Sequence, residues 1–157
     1  IGFVLSVMSG EQDRIDIAQA AAQQLQEIGI NCTVDIPAQI DWGGQMAYLI
    51  GWGSPFDADD HTYKVFGTDK GANYSGYSNE LVDQYLTEAR QSDDPEVRKE
   101  AYDKFQVELA NDPAYAFICY IDANYVADAD IQGIDPDTIM GHHGVGIFWN
   151  VADWTIQ

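Results

Sequence analysis

The first third of the chain carries a strand pattern, a helix pattern and a second strand pattern in succession. Residues 3–8 are a short, mostly apolar run rich in β-branched side chains, which predicts a buried strand. Apolar side chains then recur at helical spacing over residues 15–25, behind a capping box that Ser9 forms with Gln12. Residues 30–36 alternate between apolar and polar, which predicts a second strand. This succession predicts a right-handed βαβ unit with parallel strands.

Three later stretches also have the composition of strands. Residues 46–50 and 115–121 are apolar on both faces, and we predict them to be central strands. Residues 124–128 are predicted to extend the same sheet as an edge strand. Together with the βαβ unit, these strands predict an α/β fold with a mixed sheet flanked by helices.

Two amphipathic helices are predicted before the second of these central strands. The first covers residues 81–89 and is started by Ser78. The second covers residues 97–109, with Asp94 as its N-cap. The connection over residues 67–79 is rich in Gly, Ser and Asn, and a loop of this length in a compact domain is more often functional than idle.

The charge of the chain narrows the classes of partner. Among its 157 residues are 26 acidic and 7 basic ones, for a formal net charge of −19. Such a balance argues against nucleic acid or an anionic membrane surface as a partner. The excess is mostly Asp, so it is predicted to lie in loops and helix caps as a solvated surface.

The ends and the cysteines of the chain bear on its cellular location. Cys32 and Cys119 both fall in predicted strands, where either a disulfide or two free buried thiols fit the pattern. The sequence has no run long enough to cross a membrane and no signal peptide. It starts at Ile1 rather than Met, which is expected of a processed or excised piece.

A chemically dense stretch follows the third predicted strand. The apolar run there ends in a predicted loop at a Gly-Trp-Gly step. Open α/β sheets bind ligands beyond the carboxyl ends of their strands, so this loop is predicted to lie at a cleft mouth. It contains aromatic rings, carboxylates and an imidazole, contributed by Trp52, Phe56, Asp57, Asp59, Asp60 and His61.

Several kinds of chemistry find little support in the sequence. It has no Gly-x-Ser-x-Gly nucleophile elbow and no glycine-rich phosphate loop, so catalysis by a serine nucleophile and nucleotide binding are disfavoured. The histidines His61, His142 and His143 lack the recurring ligand spacing of a zinc site, and we interpret them as surface residues. No metal, cofactor or catalytic residue is predicted.

Two alternatives to a binding role stay open at this point. Asp57 and Asp60 could serve as the carboxylate pair of a glycoside hydrolase, with Trp52 as a platform for the sugar. The chain could also be an acidic surface interaction domain without a cleft.

Short motifs follow one another along most of the chain in a familiar order. They are residues 17–19 and 25–30, the Gly51-Trp52-Gly53 strand end, residues 54–57 and 73–79, Val82 with Asp83 and Ala89, Arg98 and Tyr102 before Asp112-Pro113, and residues 148–150 with Trp154. This succession resembles the C-terminal lobe of the extracellular solute-binding proteins of ABC transporters, in the family with dipeptide-, oligopeptide- and nickel-binding members.

The resemblance implies a periplasmic-binding-protein-like lobe that captures peptides or similar small polar solutes. Residues 1–130 would form the ligand-binding lobe, and residues 131–157 a tail that packs on it or on a missing N-terminal lobe. The partners implied are a ligand and a membrane permease. The setting implied is extracellular or periplasmic, with the full-length protein anchored to the membrane as a lipoprotein.

The resemblance also nominates ligand-binding residues and shows where this chain departs from the family. The residues nominated are Trp52, Phe56, Asp57, Asp60 and Tyr74. Peptide-binding relatives often place an aspartate three residues after the tryptophan to take the ammonium group of the peptide. This chain has Pro55 there, so Asp57 substitutes for that aspartate or the ligand differs. The histidine of nickel-binding relatives is absent from the 67–79 loop, so metal binding is not carried over.

Overall fold

The structure is a computed structural model that forms two compact units. One unit is Ile1–Gly51 and the other is Trp52–Gln157. The residues that the structure describes are 1–53, 57–122, 124–135, 137 and 146–157.

The first unit is a small parallel sheet with one helix. Its strand order is β2-β1-β3, and β1 pairs in parallel with both neighbours. The predicted βαβ unit is therefore confirmed. The elements are β1 (Gly2–Ser6), α1 (Gln12–Glu27), β2 (Asn31–Asp35) and β3 (Ala47–Tyr48).

Helix α1 packs on the sheet through the apolar stripe that the sequence predicts. Ile15 and Ala18 are buried in one cluster with Val7, which follows β1. The predicted capping box is wrong, because α1 begins only at Gln12 and its N-cap, Glu11, makes no side-chain cap bond. Ser9 instead continues the pairing just beyond β1 and β2, because its backbone N–H donates to the Pro37 carbonyl oxygen at 2.8 Å.

The third strand is shorter and less central than predicted. β3 covers two half-buried residues and pairs with β1 through Leu5 and Ser6. Within the described part of the sheet, β1 is the central strand and β3 lies at an edge. Residues 47–50 are therefore half-buried at an edge of the sheet and Met46 is exposed, although the apolar pattern of residues 46–50 predicted a central strand.

The second unit is mainly helical. The prediction of a loop for Asp57 to His61 is wrong, because these residues cap and begin a helix. Asp57 caps this helix by accepting a hydrogen bond from the Asp59 N–H at 2.8 Å. The elements are α2 (Ala58–Phe66), α3 (Glu80–Gln91), α4 (Pro95–Asn111), β4 (Ile131–Gln132), a 3₁₀ segment (Gly146–Asp153) and β5 (Thr155–Ile156), with β4 and β5 antiparallel.

Helices α3 and α4 enclose the core of this unit. Val82 and Leu86 of α3 pack against Phe105 and Leu109 of α4, and all four are buried. Both helices lie where the sequence predicts them, and Asp94 caps α4 as expected. The cap of α3 is Asn79 rather than Ser78, since the Asn79 side chain accepts from the N–H groups of the first helical turn.

The run at residues 115–121 does not form the predicted central strand. Residues 115–121 and residues 124–128 have no strand structure. Position 123, which lies between the two ranges, is outside the described residues. The side chains of the run are largely exposed: Phe117 is 65% exposed and Tyr120 is fully so. The apolar pattern was identified correctly, but no strand in the described ranges pairs with it.

Both cysteines are free, with Cys32 buried and Cys119 exposed. No helix among the described residues combines the length and the apolar character needed to cross a membrane.

Candidate ligand-binding site

Three rings at the start of the second unit form what we call the Trp52 cluster: Trp52, His61 and Tyr74. The rings of Trp52 and Tyr74 are nearly parallel, with an interplanar angle of 15° and centroids 6.3 Å apart. The His61 ring lies 5.6 Å from that of Trp52, at 59°. Trp52 is still 37% exposed, so part of the indole is available to a ligand.

The loop that carries Tyr74 is ordered by one amide side chain. Asn73 Nδ2 donates to the Gly67 carbonyl at 2.9 Å and to the Tyr77 carbonyl at 2.7 Å. Asn73 Oδ1 accepts from the Tyr77 N–H at 3.1 Å. The loop over residues 67–79 is therefore closed on itself around Asn73, and this closure fixes the backbone next to Tyr74.

His61 and Asp60 lie in the first half of α2. The His61 Nδ1 is 3.6 Å from Asp60 Oδ2, and Asp60 Oδ1 accepts from Lys64 Nζ at 2.9 Å. The hydrogen bond from Lys64 is the main reason that the pKa of Asp60 is lowered from its ordinary value. Asp60 is thus a charged group at neutral pH that lies beside the Trp52 cluster.

Asp57 has two structural partners. Besides capping α2, its carboxylate is bound by Arg98 Nη2 of α4, at 2.6 Å and 2.7 Å from the two oxygens. The backbone N–H of Asp59 and the guanidinium of Arg98 together hold the pKa of Asp57 below its ordinary value. The carboxylate side chain is more than half exposed all the same, so one side still faces solvent.

Arg98 and a second arginine connect the start of α2 to the other helices. Arg98 Nη1 also donates to the Ala89 carbonyl near the end of α3, at 3.2 Å. Arg90 Nε lies 3.3 Å from Asp59 Oδ1, and its guanidinium stacks 3.9 Å above the centre of the Tyr63 ring. The start of α2 is therefore held by arginine side chains from both α3 and α4.

Four of the five residues that the resemblance nominated as ligand-binding lie in the described part of the chain. Trp52 and Tyr74 are in ring contact, and Asp57 and Asp60 lie at the cap and in the first turn of α2. Phe56 lies outside the described residues, as does Pro55.

Two functional candidates were missed or undervalued. His61 was interpreted as a surface residue, but it is half-buried against Trp52. Arg98 lies 41 residues from Asp57 in the sequence, so no local pattern connects the two.

No group of three or more potential metal-binding side chains occurs within the described part of the chain. His142 and His143, two of the histidines weighed as metal ligands from the sequence, lie outside that part.

Aromatic rings with a few placed polar groups beside them are typical of small-molecule sites. Comparison with known proteins agrees. The chain is 33% identical over 131 residues to Protein XP55 of Streptomyces lividans, which covers 79% of the chain and 24% of that protein. It is 25% identical over 166 residues to the oligopeptide-binding protein AppA of Bacillus subtilis, which covers 97% of the chain and 28% of that protein. No family model matches.

Solved structures agree with the sequence matches. NikZ from Campylobacter jejuni, crystallised in complex with Ni(L-His), has a TM-score of 0.81 at 34% identity over 98% of this chain and 33% of that one. AppA from B. subtilis, in complex with a nonapeptide, has a TM-score of 0.74 at 21% identity over 99% of this chain and 32% of that one. The ABC transporter substrate-binding protein CtaP from Listeria monocytogenes has a TM-score of 0.60 at 24% identity over 71% of this chain and 25% of that one.

The chain therefore has the fold of one part of the extracellular solute-binding proteins of ABC transporters, and the resemblance predicted from the sequence is confirmed. It spans about a quarter of the length of the curated relatives and a third or less of the solved chains.

Proposed function

We propose that the chain is the C-terminal ligand-binding lobe of an extracellular ABC-transporter receptor that captures peptides or similar small polar solutes and passes them to a membrane permease. The Trp52 cluster is the observation that carries this proposal. A partly exposed indole, stacked on a tyrosine whose loop is closed by hydrogen bonds, is a preorganised surface for a ligand.

The charges beside the cluster favour a ligand with a cationic or neutral group at this wall. Asp60 presents an exposed carboxylate next to His61, and the indole face of Trp52 attracts cations. The ammonium end of a peptide has this chemistry. Asp57 takes part with its solvent-facing side, while Arg98 holds it in place. We extend the site to Phe56, which precedes Asp57 in the sequence.

The receptor proposed here contains a second lobe. Its closure over the ligand would follow a hinge equilibrium that the ligand shifts. The exposed apolar run at residues 115–121 supports this proposal. Burial of exposed apolar side chains such as Phe117 and Ile118 under a second lobe lowers the free energy of the receptor. In this scheme residues 1–130 are the lobe and residues 131–157 are a tail that packs on it or on the second lobe. The receptor works outside the cytoplasm and is anchored to the membrane.

A binding role also fits the site better than hydrolysis of glycosides. A glycosidase needs one carboxylic acid whose pKa is raised, so that it can protonate the leaving oxygen. Both candidates here have a lowered pKa: that of Asp57 because of the Asp59 N–H and Arg98, and that of Asp60 chiefly because of Lys64. We therefore propose that Asp57 and Asp60 are not a catalytic pair, and that the chain is a binding protein and not an enzyme, as the names of its relatives favour.

The proposal is tested by calorimetry on the full-length polypeptide that contains this chain. Tetra-alanine and nickel(L-histidine) serve as probes, because relatives include an oligopeptide-binding protein and a protein crystallised with Ni(L-His). We expect tetra-alanine to bind, and Trp52→Ala to weaken its binding at least about tenfold. Val107→Ala, at an exposed site on α4, is the control and should bind as the wild type does. Unchanged affinity of a folded Trp52→Ala variant would overturn the role of the cluster, and binding of nickel(L-histidine) alone would overturn the ligand class.

A further inference from the structure

The loop over residues 67–79, which carries Tyr74, is attached to the last turn of α2. Ala72, two residues before Tyr74, donates its backbone N–H to the Lys64 carbonyl oxygen at 3.1 Å. Gly67 is buried at the start of the loop, and an added Cβ there would come within 2.6 Å of a backbone carbonyl oxygen of α2. The loop therefore lies close against the end of α2, and glycine at its first position allows this approach.

The same loop is also held by α3, through Asp83 in the first turn of that helix. Asp83 Oδ1 accepts a hydrogen bond from the backbone N–H of Thr68 at 2.8 Å, across 15 positions of the sequence. Carboxylate oxygens are strong acceptors for backbone N–H groups. Because Thr68 is the second residue of the loop, this hydrogen bond fixes the direction in which the chain leaves α2.

The backbone next to Thr68 has a conformation that residues with a side chain disfavour. Asp69 has a φ of 57°, and in the described part of the chain it is the one residue other than glycine with a positive φ. A left-handed conformation of this kind costs energy and persists where the surrounding contacts hold it. The hydrogen bond from Thr68 to Asp83, one residue earlier, is such a contact.

Asn73 connects the start of the loop to Tyr74. Its side chain donates to the Gly67 carbonyl oxygen at 2.9 Å, one residue before Thr68. Since Asn73 directly precedes Tyr74, the position of the backbone at the start of the loop determines where the tyrosine ring begins. A short series of contacts therefore leads from α3 to the ring of Tyr74.

We infer that Asp83 is a positioning residue for the ligand of the Trp52 cluster. By holding the Thr68 N–H, Asp83 fixes the 67–79 loop on α3 and so keeps the Tyr74 ring nearly parallel to the Trp52 indole. This role rests on the proposed function and adds to it a residue that acts through Tyr74. A ring that is already in place does not have to be ordered when the ligand binds, which favours affinity.

The test titrates tetra-alanine into the 157-residue chain labelled with ¹³C and ¹⁵N and follows two NMR signals. The Trp52 indole N–H reports on the affinity of the proposed site. The ring protons of Tyr74 report on its stacking, because the ring current of a neighbouring indole displaces their signals. In the wild type we expect displaced Tyr74 signals before peptide is added, and a saturable shift of the Trp52 signal on titration.

Two substitutions of Asp83 remove or move the acceptor. Asp83→Ala removes it, whereas Asp83→Glu keeps the charge and a good helix former but moves the carboxylate by one methylene. We expect each variant to weaken binding at least about fivefold and to bring the Tyr74 signals towards those of a tyrosine without a neighbouring ring. Urea unfolding establishes that each variant is folded.

Three further variants separate positioning from general effects. Asp83→Asn retains an oxygen that can accept from the Thr68 N–H, so it should keep the affinity and the Tyr74 signals of the wild type. Gln84→Ala, at the next position of α3, where the side chain donates to Glu88 on the surface, is the matched control and should keep both as well. In a Tyr74→Ala background, Asp83→Ala should weaken binding no further, because Asp83 acts through that ring.

The outcomes distinguish the positioning role from the proposed function. A folded Asp83→Ala variant with wild-type affinity, or an Asp83→Asn variant that binds as weakly as Asp83→Ala, overturns the role of Asp83 and leaves the Trp52 cluster intact. The same conclusion follows if Asp83→Ala weakens binding equally with and without the Tyr74 side chain. If tetra-alanine does not shift the Trp52 signal of the wild type, the proposed function is overturned, and the positioning role with it.

Discussion

The side chain of Asp57, just before α2, makes three kinds of contact. It caps α2, it binds the Arg98 guanidinium, and it keeps one side in water. Both the cap and the ion pair are stronger with the ionised carboxylate than with the protonated acid. The pKa of Asp57 is therefore lowered in the folded chain from its ordinary value of 3.8.

This lowered pKa predicts an acid dependence of stability. Asp57 contributes stability at pH values above 3.8, and the contribution is lost as the pH falls through the lower pKa of the folded state. We expect Asp57→Asn to be less stable than the wild type at neutral pH, with a difference that shrinks on acidification. Urea unfolding at a series of pH values measures it. Asp93→Asn, in the turn between α3 and α4, is the control, and a difference that grows towards low pH would contradict the prediction.

The family resemblance nominated Trp52 and Tyr74 as ligand-binding residues, and that role stays a prediction. The structure brings their two rings together. Arg98 could not be nominated, because its contact with Asp57 joins distant segments. The choice of Ser78 over Asn79 as the cap of α3 failed because both residue types cap helices well and one position separates them.

At the scale of elements, α3 and α4 form the support of the site. Arg98 and Arg90 reach the start of α2 from these two helices, so the packing between α3 and α4 determines where their guanidinium groups lie. Leu86, fully buried between the helices, is central to that packing.

Leu86→Ala should lower the free energy of unfolding by about 2–5 kcal/mol, since it removes buried methyl groups and leaves a cavity. Leu81→Ala, at an exposed position on the same helix, should change it by no more than about 0.5 kcal/mol. Urea unfolding followed by circular dichroism measures both. Similar effects of the two substitutions would mean that the α3–α4 core described here is wrong.

Periodicity predicted the long elements and failed where tertiary contacts decide. Helices α1, α3 and α4 follow from their apolar stripes. Helix α2 is short, and residues 57–60 at its start include three acids, which resemble a loop until Asp57 is recognised as a cap. Residues 115–121 have the composition of a strand, but a strand needs a partner, and the described chain offers none.

At the scale of the whole molecule, the proposed second lobe makes a prediction about the two cysteines. Cys119 lies within the exposed apolar run and Cys32 is buried in the first unit. In the 157-residue chain, iodoacetamide should alkylate Cys119 much faster than Cys32. In the full-length polypeptide the second lobe should cover residues 115–121 and slow the reaction at Cys119 at least about tenfold, while Cys32 stays slow in both. Equal rates at Cys119 in the two proteins would contradict coverage of this run.

The central claim is that the Trp52 cluster is one wall of a solute-binding site. The most direct test is the NMR titration of the 157-residue chain with tetra-alanine, read at the tryptophan indoles. We predict that the Trp52 indole N–H signal shifts in a saturable, millimolar titration. The Trp154 indole, which donates to Asn150 Oδ1 at 2.9 Å, should not shift. A Trp52 signal that stays unchanged, or that moves no more than that of Trp154, would contradict the claim.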